Sequence, residues 1–367
     1  MARRRHALLA CVLLGVALRF AAASFGSNYD FESYGIVSRI VDHGGNVYAL
    51  TDRFNYAPLF AWVLGLLRWV AGGNETVFRG LVIALLTAAD LTTARILLRL
   101  RGPRVAALFF LNPVSILITG FHNQFDTIAI AAGLAAAASL SASDRAPRAR
   151  ALGGLALSLA IKHVFFLLPL WWALRTRDAR ARLLYLVVPV GLFAVTFLPY
   201  LPAGEAGIRT NVIEYASREN APLLSVIAPF ASASGLARLL FLVALALGGL
   251  AWRNAPPVEQ ALRYLLVLVC CTPAMANQYL AIAMPAIVVF WNRWFAAYTV
   301  LATAIIVAST DGLHSSVLGS RLTEWLASPS GYQAAACLLA IGIAWPLVRE
   351  RERMRAGVRA PDPSPAR

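Results

Sequence analysis

The chain has 367 residues, of which 59% are hydrophobic and only 14% charged, and its formal net charge is +15. Soluble domains carry about a quarter charged residues, so this composition excludes an ordinary soluble enzyme. The positive charge lies in short arginine clusters between apolar segments. That pattern is typical of the cytoplasmic loops of membrane proteins and not of a nucleic-acid-binding surface. We therefore expect membrane lipids, and no nucleic acid, as partners.

The apolar segments recur at near membrane-spanning length, and polar residues do not alternate along them as they would in a barrel strand. The sequence predicts an all-α fold, a polytopic transmembrane helical bundle of about 10–12 membrane helices. Residues 1–350 are predicted to form a single transmembrane domain, and residues 351–367 a basic, disordered cytoplasmic tail. The arginine distribution indicates a multi-pass plasma-membrane protein with a cytoplasmic N-terminus.

In chain order, the predicted membrane helices are Ala7–Phe25, Gly80–Leu98, Val105–Phe121, Thr127–Leu140, Leu183–Leu201, Leu236–Trp252, Ala261–Cys271, Tyr279–Trp291, Phe295–Ser309 and Ala334–Val348. Pro58–Gly72 is short and charged, which favours an interfacial or re-entrant segment. Ala151–Leu174 lies between two basic clusters, the first of which contains Arg145. It forms either a hairpin with Lys162 and His163 at its tip or a single crossing. Pro202–Pro222 is predicted to be a polar outer loop.

The first outer loop contains a predicted interfacial helix. Its apolar residues follow helical spacing and are Phe31, Tyr34, Val37, Ile40 and Val41. A stripe of this kind suits a helix lying at the membrane interface, here ended by Gly44 and Gly45. Asp30 and Glu32 fall at the start of this helix. Asp30 is either part of a cap with Ser27 at the N-cap position or a catalytic carboxylate.

Further polar residues interrupt the apolar segments. Asp126 follows His122 and Gln124 at the outer end of a predicted helix, where the three form either a solvated end or a site. Asp90 is predicted to pair with a basic side chain near the cytoplasmic end of its helix. Arg209 and Arg218 in the second outer loop are either phosphate contacts or solvated loop residues.

Lys162 is the only lysine in the chain. A charge at the centre of an apolar helix costs about 2.5–3.5 kcal/mol on insertion scales. A buried cation of this cost indicates a functional site in which an anion such as phosphate offsets the charge, assisted by neighbouring His163. The alternative is that Lys162 extends to the headgroup region.

Several motifs, in their order along the chain, resemble the GT-C superfamily of polytopic glycosyltransferases, and in particular the members that use polyprenyl-phosphate sugars. They are the acidic start of the first outer loop with Asp30 and Glu32, Asn55-Tyr56-Ala57-Pro58-Leu59, the acidic loop Gly120–Asp126, Lys162 ahead of a Leu-Leu-Pro segment, and Gln278-Tyr279-Leu280. The resemblance covers most of residues 7–280. Ala57 departs from the family pattern at a proline position, which leaves the acceptor undefined.

The resemblance implies inverting hexose transfer, mannosyl or glucosyl, from a polyprenyl-phosphate donor to a lipid-linked or cell-envelope glycan acceptor at the extracytoplasmic face. Asp30 would be the general base. The substrate-binding residues would be Glu32, Tyr56, His122, Gln124, Asp126, Lys162, His163, Arg209 and Gln278. No cofactor is expected; if a divalent metal, Mg or Mn, is used, Asp30 and Glu32 would bind it.

Two other classes of membrane protein remain open. A secondary transporter could use intramembrane Lys162 and Asp90 for coupling or substrate binding. The sequence shows no repeated pair of interrupted helices in corresponding halves, which argues against this class. A glycolipid flippase, or a structural partner subunit, is the third alternative.

Overall fold

The computed structural model describes residues 2–141, 147–214, 220–229, 234–310 and 319–355. The chain is 80% helix, and no β-strand occurs in these ranges, which confirms the predicted all-α class. Two arginines discussed above, Arg145 and Arg218, lie outside the described residues.

The helices pack around one large apolar core. Those of the first half are α1 (Ala2–Ala22), α2 (Tyr29–Asp42), α3 (Val47–Leu50), α4 (Pro58–Val70), α5 (Glu75–Arg101), α6 (Pro103–Phe110), α7 (Pro113–Gly120), α8 (Asp126–Ala138), α9 (Ala149–Ile161) and α10 (Leu168–Ala173). Those of the second half are α11 (Ala179–Val195), α12 (Leu201–Ile208), α13 (Pro222–Ile227), α14 (Ser234–Ala251), α15 (Pro257–Cys271), α16 (Asn277–Ile282), α17 (Met284–Val289), α18 (Arg293–Ala308), α19 (Ser320–Ala327) and α20 (Pro329–Arg355).

Three helical stretches of the described residues are long and apolar enough to cross a membrane, namely His6–Phe25, Glu75–Arg101 and Ala179–Ile213. The bent pairs α6–α7 and α19–α20 raise this number to five if each pair is one span. Several further apolar helices have only 10–17 residues. The predicted number of about 10–12 membrane helices therefore exceeds the number that reach spanning length in the described part of the chain.

The helices are shorter than predicted because prolines and asparagines start new helices inside apolar segments. The predicted helix Val105–Phe121 is divided into α6 and α7, which are bent by 46°. The Asn112 side chain caps α7 by accepting a hydrogen bond from Val114 N at 2.9 Å. Pro113 follows at the first helical position, where its missing N–H costs nothing. Likewise, Pro285 lies at the start of α17, which divides the predicted helix Tyr279–Trp291.

The amphipathic helix α2 packs its apolar stripe on α4. The stripe is therefore covered by protein. Tyr34 and Phe60 meet edge to face with ring centroids 5.4 Å apart, and both are buried. A Cβ at Gly65 of α4 would lie 2.5 Å from Val41 Cγ1, which shows how closely the two helices approach. The predicted stop after α2 is confirmed, since the helix ends at Asp42 and Gly44 has a φ of +70°.

The segment Pro202–Pro222, predicted to be a polar loop, is largely helical in its first half. α12 and a π-helical turn at Arg209–Ile213 continue from α11, and α12 packs on α3. The contact is close because Gly207 faces the backbone of Tyr48, where a Cβ would clash with the carbonyl oxygen. The segment that contains α12 is therefore joined to the loop that contains α3.

The helix boundaries bear on two further predictions, those for Ala151–Leu174 and for the tail 351–367. Ala151–Leu174 is interrupted at Lys162, followed by a 3-10 turn at His163–Phe165 and by α10, and both α9 and α10 contact α11. The last helix runs to Arg355, so the first residues of the tail 351–367 are helical and not disordered. The rest of that tail lies outside the described residues.

Candidate functional site

Asp30 lies at the start of α2, where two side-chain amides hold its carboxylate. Asn28, and not the predicted Ser27, is the N-cap, because its Oδ1 accepts a hydrogen bond from the first turn of the helix. Asn28 Nδ2 and Gln124 Nε2 both donate to Asp30 Oδ2. Burial raises the pKa of Asp30 above its ordinary value, and the positive charge of Lys162 opposes part of this rise. Asp30 is thus a poorly solvated carboxylate with a raised proton affinity.

The polar loop, residues 121–126, joins α7 to α8 and is buried along its whole length. Its turn is made by Asn123, whose φ of +55° lies in the left-handed region that asparagine tolerates better than most residues. The Asn123 side-chain amide donates to the carbonyl oxygens of Thr119 and Gly120 at the end of α7, at 2.9 and 3.1 Å. The Phe125 ring stacks on Phe60 of α4 at 3.7 Å. The polar loop is therefore held by hydrogen bonds to α7 and by ring packing on α4.

His122 and Gln124 connect the polar loop to the start of α2. His122 Nδ1 lies 3.0 Å from Asn28 Nδ2, and Gln124 donates to Asp30. Burial lowers the pKa of His122 to about 4, so the ring is neutral at neutral pH. Because Asn28 donates to Nδ1, the ring proton lies on Nε2, which has no hydrogen-bond partner among the described residues. His122 Nε2 is therefore a buried donor with no acceptor from the described chain.

Lys162 has an anion of the protein itself as its partner. Its Nζ lies 2.6 Å from Asp126 Oδ2, and both side chains are at most 10% exposed. The backbone of Lys162 is extended, with φ −155° and ψ 135°, which ends α9 at Ile161. The rings of Tyr56 and Phe125 each lie 4.8 Å from the ammonium. The side chain does not extend to the protein surface, which contradicts the headgroup alternative.

Five buried polar atoms of α2, the polar loop and the start of α8 have no hydrogen-bond partner in the part of the chain that the structure describes. They are Tyr34 Oη, His122 Nε2, Asn123 Oδ1, Gln124 Oε1 and Asp126 Oδ1. An unsatisfied buried polar group costs about 1–3 kcal/mol. A ligand rich in hydroxyl groups can both donate to these oxygens and accept from His122, whereas an apolar ligand can do neither.

The carboxylate of Asp90 in α5 holds both ends of the polar loop. Thr119, at the end of α7, donates to Asp90 Oδ2 at 2.8 Å, and Thr127, at the start of α8, donates to Oδ1. Arg19 of α1 is fully buried and donates to Oδ2 through Nε and Nη2, at 3.0 and 2.8 Å. The prediction that Asp90 pairs with a basic side chain is confirmed. That side chain lies in the last turn of α1, beside the first outer loop, and not near the predicted cytoplasmic end.

Asp30 and Glu32 do not converge on one metal site. Side chains two positions apart on a helix point to different sides. Accordingly, Glu32 is exposed, whereas Asp30 faces Gln124. Among the described residues, no group of three His, Cys, Asp or Glu side chains could hold a metal ion.

Three other predicted residues take no part in the described hydrogen bonds around Asp30. His163 is exposed in the 3-10 turn, and Gln278 is half-buried in α16. The side chain of Arg209 is 74% exposed and pairs with Glu214 at 3.3 Å. The structure therefore brings together Asp30, Tyr56, His122, Gln124, Asp126 and Lys162, places His163 within electrostatic range of Lys162 and Asp126, and leaves Gln278 and Arg209 outside that arrangement.

Sequence reasoning missed Asn28, Asn123 and Arg19. Asn28 carries a sequence signal, because asparagine directly before a helix is a preferred N-cap. Arg19 carries another, because an arginine inside an apolar helix requires an internal anion. Asn123 carries no such signal, because its role in the turn depends on a left-handed backbone that the sequence does not show.

The chain matches no protein-family model, no curated protein and no solved structure. One set of contacts is the candidate site of this chain, and we call it the Asp30 cluster; its members are Asn28, Asp30, His122, Gln124, Asp126 and Lys162. Both Lys162 and Asp126 act on the pKa of Asp30, so the three charged groups lie within electrostatic range of one another.

Proposed function

We propose that this protein is a GT-C-type membrane glycosyltransferase. It would transfer a hexose, mannose or glucose, from a polyprenyl-phosphate donor to a lipid-linked or cell-envelope glycan at the outer face of the plasma membrane. The observation that supports this function is the Asp30 cluster, in which residues from three distant parts of the chain meet in one buried, polar place. Helices apolar and long enough to cross a membrane are compatible with a lipid-linked donor.

In the proposed reaction, the acceptor hydroxyl oxygen attacks the anomeric carbon, and the bond from that carbon to the phosphate oxygen breaks. The polyprenyl phosphate leaves with the electron pair, and the configuration inverts. Asp30 takes the hydroxyl proton, and a raised pKa makes a carboxylate a better base near neutral pH. Because Asn28 and Gln124 both donate to Oδ2, we assign Oδ1 as the atom that receives the proton.

The unsatisfied polar atoms of the polar loop would bind the sugar hydroxyls. Since Lys162 is already neutralised by Asp126, we assign it to orient that carboxylate and to favour the ionised form of Asp30. The phosphate charge that develops on the leaving group then requires another cation. Arg53 is placed for this role, because its guanidinium lies 3.8 Å over the Tyr29 ring and is half-buried beside the start of α2.

The test compares Asp30→Asn with Glu32→Gln, an isosteric change at an exposed carboxylate of the same helix. Membranes containing each variant are incubated with radiolabelled polyprenyl-phosphate mannose and glucose, and label is followed into glycolipid. Loss of a general base lowers the rate by about 10²–10⁴-fold, so Asp30→Asn should lose transfer while Glu32→Gln retains it. Wild-type rates in Asp30→Asn, or no transfer from either donor by the wild type, would overturn the proposal.

A secondary transporter or glycolipid flippase is the second candidate, and the two buried ion pairs favour it. Arg19–Asp90 and Lys162–Asp126 both lie among apolar helices, where ionisable pairs often belong to transport pathways. Proteoliposomes distinguish the classes. Movement of solute or glycolipid across the bilayer without a new glycosidic bond would decide for transport.

A further inference from the structure

A cavity of about 660 Å³ lies between the α10–α11 and α14–α15 connections, and most of its lining residues are exposed. Its lining residues come from both connections and are Leu174, Arg175, Thr176, Arg177, Asp178, Arg182, Arg253 and Asn254. Four of these residues are arginines, and Asp178 is the one acid among them. We call this space the arginine cavity.

The arginine cavity shares no lining residue with the Asp30 cluster. It adjoins the N-terminal end of α11, which has 17 residues. A helix of that length is about 25 Å long at 1.5 Å per residue. Beyond its other end, α12 packs on α3 of the first loop. Nothing in the proposed transfer reaction uses this cavity.

The one carboxylate of the arginine cavity is directed to backbone amides. Asp178 is the N-cap of α11, and its two oxygens accept hydrogen bonds from Arg180 N and Ala181 N, at 3.2 and 3.1 Å. Arg182 is oriented by its Nε, which donates to the Thr176 carbonyl at 2.8 Å. Arg177, Arg182 and Arg253 are exposed around this space, and their like charges favour an anion between them. The planar guanidinium matches phosphate oxygens in particular.

Trp252, whose side chain is half-buried, lies against the fully buried Trp171. The rings of Trp171 and Trp252 lie 5.9 Å apart, and Arg253 directly follows the second of them. Tryptophan is enriched at the level of lipid headgroups. Basic pockets between helices on the cytoplasmic side bind anionic lipid headgroups, and the arginine pattern predicts that side for these connections.

We infer that the arginine cavity binds the phosphate of an anionic phospholipid from the membrane leaflet that it faces. The inference depends on the charge and position of this cavity and is independent of the reaction at Asp30. The phosphodiester would lie among the guanidinium groups, with the acyl chains directed along the apolar helices next to Trp252.

The test uses the purified full chain in a neutral detergent, titrated with short-chain phosphatidylglycerol, short-chain phosphatidylcholine and inorganic phosphate, with binding followed by calorimetry. Phosphatidylglycerol should bind at least about tenfold more tightly than phosphatidylcholine. Arg177→Ala/Arg253→Ala should weaken phosphatidylglycerol binding by roughly 25-fold, at about fivefold per arginine. Arg180→Ala, an exposed arginine of the same connection that does not line the cavity, should change it less than about twofold.

Three results would overturn the inference. The first is equal affinity for the two lipids. The second is an effect of Arg180→Ala as large per charge as that of the cavity arginines, which would indicate surface attraction alone. The third is displacement of phosphatidylglycerol by an equal concentration of inorganic phosphate, which would make free phosphate the ligand. Because Arg177 and Arg253 are exposed, unchanged thermal unfolding of the double variant serves as the folding control.

Discussion

Lys162 Nζ and Asp126 Oδ2 lie 2.6 Å apart among the helices, so the only lysine of the chain is neutralised by a carboxylate 36 positions earlier. Removing one partner of a buried pair leaves an uncompensated charge and costs about 3–5 kcal/mol. Replacing both partners with apolar residues is often neutral. The pair therefore has a testable energetic signature that does not depend on catalysis.

We expect Lys162→Met to lower the unfolding stability by about 3–5 kcal/mol. Lys162→Met/Asp126→Leu should recover most of that loss, because neither charge remains. The measurement is thermal unfolding of the detergent-solubilised variants side by side. A double variant that is less stable than Lys162→Met would show that the pair is not held in the buried geometry described.

The two threonines that hold the polar loop give a second prediction. Thr119→Val and Thr127→Val each remove a hydrogen bond to the charged Asp90, so each should lower the unfolding free energy by about 1.5–3 kcal/mol. The control is Thr92→Val in α5, whose exposed hydroxyl bonds only a carbonyl of its own helix. It should change stability by less than about 0.5 kcal/mol. Equal effects at all three positions would contradict the role of Asp90 as an anchor.

Gly120 and Gly80 make a matched pair of glycine-to-alanine substitutions. A Cβ at Gly120 would lie 2.2 Å from the Arg19 carbonyl oxygen, so Gly120→Ala must separate α1 from α7. A Cβ at Gly80 would meet nothing within 4 Å. Gly80→Ala should stabilise the protein by about 0.5–1 kcal/mol through helix propensity, whereas Gly120→Ala should destabilise it. Urea unfolding of the two variants measures both signs, and a stabilised Gly120→Ala would refute the close contact.

The acid side of the pH–rate profile tests Asp30 as the base. A base must be ionised, so kcat/KM should rise with pH through the pKa of Asp30, which burial places above that of an exposed carboxyl group. Gln124 stabilises the ionised form by donating to it. Gln124→Met should therefore raise this pKa and move the rise in kcat/KM to higher pH. Gln333→Met, which affects a side chain bonded to Ser225, is the control and should leave the profile unchanged.

Much of the local architecture is predictable because it depends on neighbouring residues. The end of α2 follows from Gly44, and the need of Asp90 for a basic partner follows from its apolar surroundings. The break between α6 and α7 was also visible as Asn112-Pro113. An asparagine and a proline together supply a start signal for a new helix, and here that signal divides a segment of continuous hydropathy.

The long-range pairings could not be predicted in the same way. Arg19 and Asp90 are 71 positions apart, and periodicity does not indicate which arginine the carboxylate selects. Lys162 was expected to bind a phosphate, because a single sequence shows the cost of a buried charge but not which anion offsets it. The sequence does not show exposure either, since Glu32 lies in the acidic motif and Arg209 in a predicted polar loop, and both side chains are exposed.

Because the chain has a single lysine, chemical labelling of that lysine can report on the accessibility of the buried ion pair. Apart from the chain's amino terminus, an amine-selective acylating reagent has one side-chain target, and the ammonium of Lys162 is shielded by Asp126 and two aromatic rings. Acylation at this position would therefore measure how often that shield opens. A bound donor or acceptor that slows the labelling could be detected by peptide mapping of the native sequence, without any substitution.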